Sequence, residues 1–321
     1  MKKTLFLLGL LVSTMTMVGQ TASTTDSTKE SWYFKVGGSY FIQTAATEFP
    51  IVSGALPNTD VYAANGTTLV SRETNTGSFG EGFRTGLTAG YRFTPRLGVE
   101  MAFNYYSSNS KTMVETVNRL VAAGPTFVTG SAEGKITAYD LAPAIVLFLG
   151  ELNGFEPYTK VGVIVPVSGD LTIETNRVYS NPAGTTTTYA KDVVKPNPTV
   201  GFMAVLGTSY KLGKNISLYG EVEYRNFTVH GKTKETEAYT ENGVDKLNTP
   251  TAFRPDASYS ASHVDYVDQL NSSSNNPLFN PNTTTTTIPG DTTRPNDAMN
   301  EISSYVGISG LGFTLGLKYS L

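Results

Sequence analysis

The 321-residue chain carries 24 basic and 27 acidic side chains, a net charge of −3 and no cysteine, which excludes a basic nucleic-acid face, a disulfide framework, a cysteine metal site and a lipoprotein anchor. Charged residues make up 16% of the chain, with 31 glycines, 18 tyrosines and 16 phenylalanines and a mean hydropathy near zero, a composition of neither a helical membrane protein nor a disordered one. A chain this polar can still cross a membrane as alternating strands.

At the N-terminus, Lys2 and Lys3 precede an apolar run from Leu5 to about Val18, too short for a ~20-residue spanning helix but the size of a signal-peptide core. Residues 1–20 are therefore expected to be a cleaved signal, with the exact site open, and residues 21–30 a short periplasmic segment. No later apolar run is long enough to span as a helix.

Period-2 alternation begins at Ser31–Gln43. Trp32, Phe34, Val36, Tyr40 and Ile42 share one face, and Lys35, Gly37, Ser39 and Gln43 the other, with Phe41 a bulky exception. A second strand is expected from about Phe79 to Phe93, with Phe83, Leu87, Ala89, Tyr91 and Phe93 opposite Arg84, Gly86, Gly90 and Arg92. After Thr94-Pro95-Arg96 the pattern resumes with Leu97, Val99, Met101, Phe103 and Tyr105 against Gly98, Glu100 and Asn104, which predicts a hairpin. Lys135–Leu149 sets Tyr139, Leu141, Ile145 and Leu147 against Ala138, Asp140, Ala142 and Ala144, blurred by Val146 and Phe148. In Glu156–Gly169, Val161, Val163, Val165 and Val167 oppose Lys160, Gly162 and Ser168, and Pro166 is expected at a bulge or strand end. Thr199–Leu212 places Phe202, Ala204, Leu206 and Tyr210 opposite Gly201, Gly207, Ser209 and Lys211, with Met203 and Val205 on the polar side. After Gly213-Lys214-Asn215, Ile216–Val229 sets Leu218, Val222 and Tyr224 against Ser217, Glu221, Glu223 and Arg225.

The chain closes on Gly310–Leu321, its most regular alternation. Leu311, Phe313, Leu315, Leu317, Tyr319 and Leu321 oppose Gly312, Thr314, Gly316, Lys318 and Ser320. The count is eight strands, each near the ~9–11 residues that a tilted strand needs to cross a bilayer. Their connections alternate between short turns near Pro95, Asn153 and Lys214 and long segments at about 44–78, 107–134, 170–197 and 230–304. Short turns belong on the periplasmic side and long loops outside, so both termini are expected to be periplasmic. Trp32, Phe93, Tyr210 and Tyr319 then fall at one interface, and Tyr40, Tyr105, Tyr139 and Tyr224 at the other. The long segments are rich in Thr, Ser, Asn, Asp and Pro, with Thr283–Thr287 a low-complexity run. Asn65-Gly66, Asn181-Pro182-Ala183-Gly184 and Asn242-Gly243 signal hairpins that continue above the membrane.

Thr314, Gly316, Tyr319 and Leu321 resemble the C-terminal assembly signal of Gram-negative outer-membrane barrels, except that Leu321 stands where that family usually has Phe. With the strand plan from Ser31 to Leu321, the chain resembles the OmpA/OmpX-like family. The resemblance implies an all-β, eight-stranded antiparallel up-and-down transmembrane barrel over residues 31–321. It also implies outer-membrane lipid, lipopolysaccharide and, during insertion, the barrel-assembly machinery as partners.

On the non-lipid face lie Lys35, Arg84, Arg92, Glu100, Asp140, Lys160, Lys211, Glu221, Glu223, Arg225 and Lys318. An eight-stranded barrel is just wide enough for side chains to fill it, so these charges are expected to pair as a polar core. Gly90 is expected opposite Glu100 and Gly207 opposite Glu221, leaving room for each carboxylate. No catalytic constellation, metal-ligand spacing or cofactor motif is visible. An outer-membrane lipid-modifying enzyme would need one of the two histidines, His230 or His263, beside Ser or Asp at the outer rim. The expected role is structural, adhesive or recognitive, carried by the external segments with 230–304 leading and an unidentified external ligand as partner; the alternative is a narrow porin-like channel for ions or small solutes.

Overall fold

The computed structural model describes residues 31–121, 125–197, 199–278 and 294–321. The expected signal segment 1–20, the segment 21–30 and the Thr283–Thr287 run lie outside them. The described chain is β-structure joined by turns, with one four-residue helix, α1 (Tyr259–Ser262). Its strands are β1 (Ser31–Gln43), β2 (Thr47–Glu48), β3 (Asn58–Tyr62), β4 (Leu69–Thr74), β5 (Thr76–Gly77), β6 (Gly82–Arg92), β7 (Leu97–Ser108), β8 (Lys111–Leu120), β9 (Phe127–Phe148), β10 (Phe155–Asn181), β11 (Gly184–Asn197), β12 (Gly201–Lys211), β13 (Ile216–Asn226), β14 (Thr228–Glu241), β15 (Val244–Asp245), β16 (His263–Val267), β17 (Met299–Ile302), β18 (Tyr305–Gly307) and β19 (Gly310–Ser320).

Nineteen strands among the described residues correct the expected eight. Part of the surplus is the hairpins expected at Asn65-Gly66, Asn181-Pro182-Ala183-Gly184 and Asn242-Gly243, and the rest lies in segments that read as loops because Thr, Ser and Asn make them polar. Threonine, however, is β-branched and favours extended backbone. Four boundaries also move by more than two residues: β9 begins at Phe127 rather than Lys135, and β10 runs on to Asn181 rather than Gly169. Phe79 precedes β6 and is fully buried, and the stretch 216–229 breaks at Phe227 into β13 and β14.

A closed ring runs through eight of these strands. β1 pairs with β6, β6 with β7, β7 with β9, β9 with β10, β10 with β12, β12 with β13, β13 with β19, and β19 with β1, every pairing antiparallel. The alternation seen in sequence becomes an outer apolar belt: Leu87, Val161, Phe202, Phe313 and Leu315 are each at least half exposed. Both ends of the ring and its short turns share one rim, where Leu321 N–H donates to Trp32 O at 3.0 Å and Ser320 N–H to Asn215 O at 2.8 Å.

At the seam between first and last ring strands, Gly37 faces Gly316. The Tyr219 ring lies against both; a Cβ on Gly316 would sit 2.2 Å from Val36 O and one on Gly37 2.3 Å from the Tyr219 hydroxyl. No side chain larger than hydrogen fits there.

β9 and β10, of 22 and 27 residues, rise beyond the ring and support a second region, the head. Its strands are ordered β4-β3-β8-β9-β10-β11-β14-β16-β17. In β10 the inward residues of the ring, Tyr158, Lys160 and Ile164, have even numbers, whereas those of the head, Leu171, Ile173 and Thr175, have odd ones. The parity changes at a register shift between Pro166 and Ser168. Proline has no N–H to give to a ladder, so a bulge is a natural place for it. Above this level the interior is apolar, built on Phe79, Met113, Ile136, Ile173, Phe227 and neighbours.

Candidate functional site

Inside the ring the charged residues form three connected groups. Near the short-turn rim, Glu156 accepts from Arg92 at 2.5 Å and from Lys318 at 3.2 Å. In the middle, Lys35 meets Glu100 at 2.6 Å and Glu221 at 3.1 Å, and Lys160 meets the same two carboxylates at 2.9 and 2.8 Å. Towards the head, Arg84 forms a two-pronged ion pair with Glu223, with one prong at 2.7 Å. Arg225 binds Asp140 at 2.8 Å, and Asn104 donates to Asp140 at 2.8 Å. All these side chains except Arg92 and Glu156, which are nearly so, are enclosed to 8% exposure or less.

Each charge is pinned by neighbours, which is what makes a buried network tolerable. The Tyr158 hydroxyl donates to Glu221 at 2.7 Å and that of Tyr33 to Glu100 at 3.1 Å. The bulky inner-face exceptions have a function here. The Arg84 guanidinium lies 4.8 Å from the Phe41 ring and that of Arg92 3.9 Å from Phe148, distances suited to cation–π attraction. Between the middle and upper groups remains a cavity of about 30 Å³, room for about two water molecules.

Ten of the eleven residues read from sequence as lumenal lie in these groups. Lys211 does not. It is the last residue of β12, its side chain is 56% exposed, and it pairs with Glu151 at 2.5 Å outside the lumen. Parity puts it on the inner face, and it still pairs with Ser217 of β13, but the enclosed lumen ends before it. The glycine expectation holds in placement and fails in purpose. Gly90 does face Glu100 and Gly207 does face Glu221, but the space over them is taken by the Tyr33 and Tyr158 rings. Glu156, Tyr33 and Tyr158 were missed, although each stands two residues from another inward side chain.

The terminal strand has the two faces read from its sequence. Thr314 is buried, with its hydroxyl 2.7 Å from that of Ser39, whereas Tyr319 and Leu321 are exposed at 47% and 68%. His230 Nδ1 lies 3.1 Å from Ser303 Oγ, but that hydroxyl also donates to Gly231 O at 3.2 Å. His263 Nδ1 contacts Ser262 Oγ and Tyr259 O, and its Nε2 is 3.7 Å from Glu235.

A second cavity interrupts the wall where ring meets head. β12 is paired with β10 up to Ile164, and β11 joins β10 only at Leu171. Between them Val165–Asp170 has no ladder partner on that side. Behind this gap lies a pocket of about 380 Å³, floored by Ile136, Leu171, Phe227, Val229, Val306 and Ile308 and edged by Val167, Lys195 and Pro196.

A closed antiparallel ring with an apolar exterior and a charged, tightly filled interior is the architecture of a transmembrane β-barrel, the one strand arrangement that leaves no unpaired backbone in lipid. A family model described as outer membrane protein beta-barrel domain matches residues 5–260, and the chain belongs to that family. It is therefore a Gram-negative outer-membrane barrel protein. Among solved structures, the outer membrane protein OprG from Pseudomonas aeruginosa is similar at 12% identity and a TM-score of 0.40, over 91% of this chain and 96% of that one. No curated protein matches.

Proposed function

We propose that the ring is an eight-stranded transmembrane barrel with its termini and short turns in the periplasm, that its lumen serves stability, and that its activity is to bind a small apolar ligand in the head. The pocket behind the Val165–Asp170 gap carries this reading. A concave, mainly apolar space in the range of ~300–1,000 Å³, with a few polar groups at its edge, is the usual form of a small-molecule site. Its placement fits capture from the outer leaflet, because the gap opens through the wall beside outward-facing Val165 and Val167. The head makes this the recognition role expected of the external segments, with His230, Gly231, Val306 and Ile308 supplied by the chain from 230 onward.

The narrow-channel reading is disfavoured by the three charge groups, which leave room for about two waters at mid-lumen. Catalysis is disfavoured at His230, because Ser303 spends its proton on a backbone carbonyl and the neighbours of the imidazole, Ser303 and Tyr305, bring no carboxylate to orient it. Outer-membrane lipid around the belt, lipopolysaccharide in the outer leaflet and the barrel-assembly machinery during insertion are the partners that follow.

The test is photolabelling of the full chain in lipid nanodiscs with an alkyl diazirine, the adducts being mapped by mass spectrometry. Adducts on Phe227, Val229 and Val306 that disappear in Val306→Trp, with heat-modifiable gel migration unchanged, are expected. Labelling confined to the lipid-facing belt would overturn the reading. Conductance in planar bilayers that changes with Arg225→Ala would favour the channel instead.

A further inference from the structure

Next to the apolar pocket, with Lys195 lining both, lies a different cavity, a polar cleft of about 670 Å³ between β11, β14, β16 and the 294–300 stretch. Two features mark it. One is an aromatic platform: the Tyr259 ring stacks on the His263 ring with centroids 3.7 Å apart and planes within 10°, and Tyr259 remains 49% exposed. The other is Asn275, only 2% exposed. Its Nδ2 donates to the carbonyls of Arg294, Asp297 and Ala298 at 3.1, 3.2 and 3.1 Å, and its own N–H donates to Asn300 Oδ1 at 2.7 Å. The amide is thereby held in one orientation. Its Oδ1 is buried without a hydrogen-bond partner, and the residue lines the cleft.

A buried acceptor without a donor is costly and uncommon in a folded protein, and a rigid one selects for a ligand that brings an O–H or N–H. The charged groups of the lining indicate what kind. Lys234 is 3.8 Å from Glu301, Glu235 is 3.7 Å from His263, Glu237 is 2.6 Å from Lys191, and Arg294 is 3.8 Å from Asp297. With these charges answered locally, and with the two others of the lining, Lys195 and Asp265, of opposite sign, the cleft has no single-sign field to attract a polyanion or a basic peptide. A flat ring face, a fixed acceptor and a wall of paired carboxylates and amides suit a ligand with an apolar face and a hydroxylated edge.

We propose that this cleft binds the ring of an uncharged saccharide, with Tyr259 packing against the sugar's C–H face and Asn275 Oδ1 accepting a sugar hydroxyl. The site is independent of the apolar pocket and can fail or stand without it. The hydroxylated ring could come from the neutral polysaccharide of lipopolysaccharide or from a foreign glycan.

The experiment is saturation-transfer NMR on the full chain in nanodiscs. The probes are neutral oligosaccharides, one set released from lipopolysaccharide by mild acid and one of eukaryotic glycans. Binding by either set supports the site and identifies the source. Tyr259→Ala is expected to weaken it at least ~10-fold, equivalent to about 1.4 kcal/mol, while Tyr259→Phe retains it and added salt leaves it unchanged. A deoxy analogue lacking the accepted hydroxyl is expected to lose a similar factor. Failure of every neutral saccharide, binding indifferent to Tyr259→Ala, or binding only of anionic sugars or peptides would overturn the proposal.

Discussion

The ring and the head are made partly from the same strands, yet their interiors are opposite. Around Lys35, Glu100, Lys160 and Glu221 the inside is charged and the outside apolar. Around Phe79, Met113, Ile173 and Phe227 the inside is apolar. The solvent outside decides which: lipid takes the apolar face in the ring, leaving polar side chains to satisfy one another, whereas water beyond the membrane restores the ordinary preference. β9 manages the change without altering parity, going from Asp140 inward to Ile136 and Ala132 inward. β10 manages it with a bulge. The two regions are thus two different answers to burial, hinged at Pro166–Ser168.

The strongest way to break this arrangement is Phe79→Asp, which takes a fully buried ring out of the head core and leaves an unpaired carboxylate in its place, costing more than the roughly 3–5 kcal/mol of a Phe→Ala change. The head is expected to become protease-sensitive at the β10–β11 hairpin while the ring keeps its heat-modifiable gel migration. Deleting Val167 is the contrasting case: it removes the one residue by which β10 exceeds β9 between Pro166–Asp140 and Leu171–Ile136, so Leu171 and Ile173 should stay inward and the head stay protected. A protease-sensitive head in that deletion would show that the bulge itself holds the inward face.

Next in size is Glu221→Gln. It removes the charge facing Lys35 and Lys160 and should cost on the order of 3–5 kcal/mol if those cations stay desolvated. Denaturant unfolding in lipid should show a lower midpoint; an unchanged one would argue that water reaches the pair. A somewhat smaller loss, roughly 2–4 kcal/mol, is expected for Leu315→Arg on the lipid face near mid-membrane. At Thr314 the same substitution acts through packing and through the contact with Ser39. Equal tolerance at the two positions would mean that the faces of β19 are exchanged.

Lys211→Ala sharpens the boundary of the lumen. Its pair with Glu151 is exposed, and such pairs are worth about 0–1 kcal/mol, so the unfolding midpoint should barely move.

The smallest effect concerns pH at the rim nearest the head. Glu81 is held below its ordinary carboxylate value of 4.5, chiefly by the hydrogen bond from Lys111, with further bonds from Tyr40 and Asn109. A depressed folded value means that the contribution is present above the ordinary value and lost as pH falls through the depressed one. Hydrogen exchange near residue 81 should therefore distinguish the natural protein from Lys111→Ala at neutral pH and cease to do so in acid.

Much of the ring was legible because lipid on one side imposes strict alternation. Phe83 through Tyr91 and Leu311 through Leu321 are readable almost residue by residue. The head was less so. Leu171, Ile173 and Val194 stand among threonines and lysines, and their partners Phe79, Phe227 and Val306 are distant in sequence, so no local period announces that core. The charged network was readable as a face but not as a set of pairs. Glu156 lies beside Pro157 at a strand start, where parity carries little signal, and Lys211 shows that parity does not tell where an enclosed lumen ends. The Asn275 amide, with contacts across about 20 residues of chain, has no sequence signature.

Leu321 N–H and Trp32 O are 3.0 Å apart, so the two ends of the ring could be joined by a short linker and the chain reopened at Thr94-Pro95-Arg96. Such a circular permutant keeps every ring pairing, including the Gly37–Gly316 seam, while moving the Gly310–Leu321 strand away from the C-terminus. Surface-exposed loop tips are where permutation is tolerated. The permutant would separate two roles now held by one strand, closing the ring and ending the chain. If it refolds in detergent yet fails to assemble in cells, Thr314, Gly316, Tyr319 and Leu321 matter as an address; if it does both, they matter only as a wall.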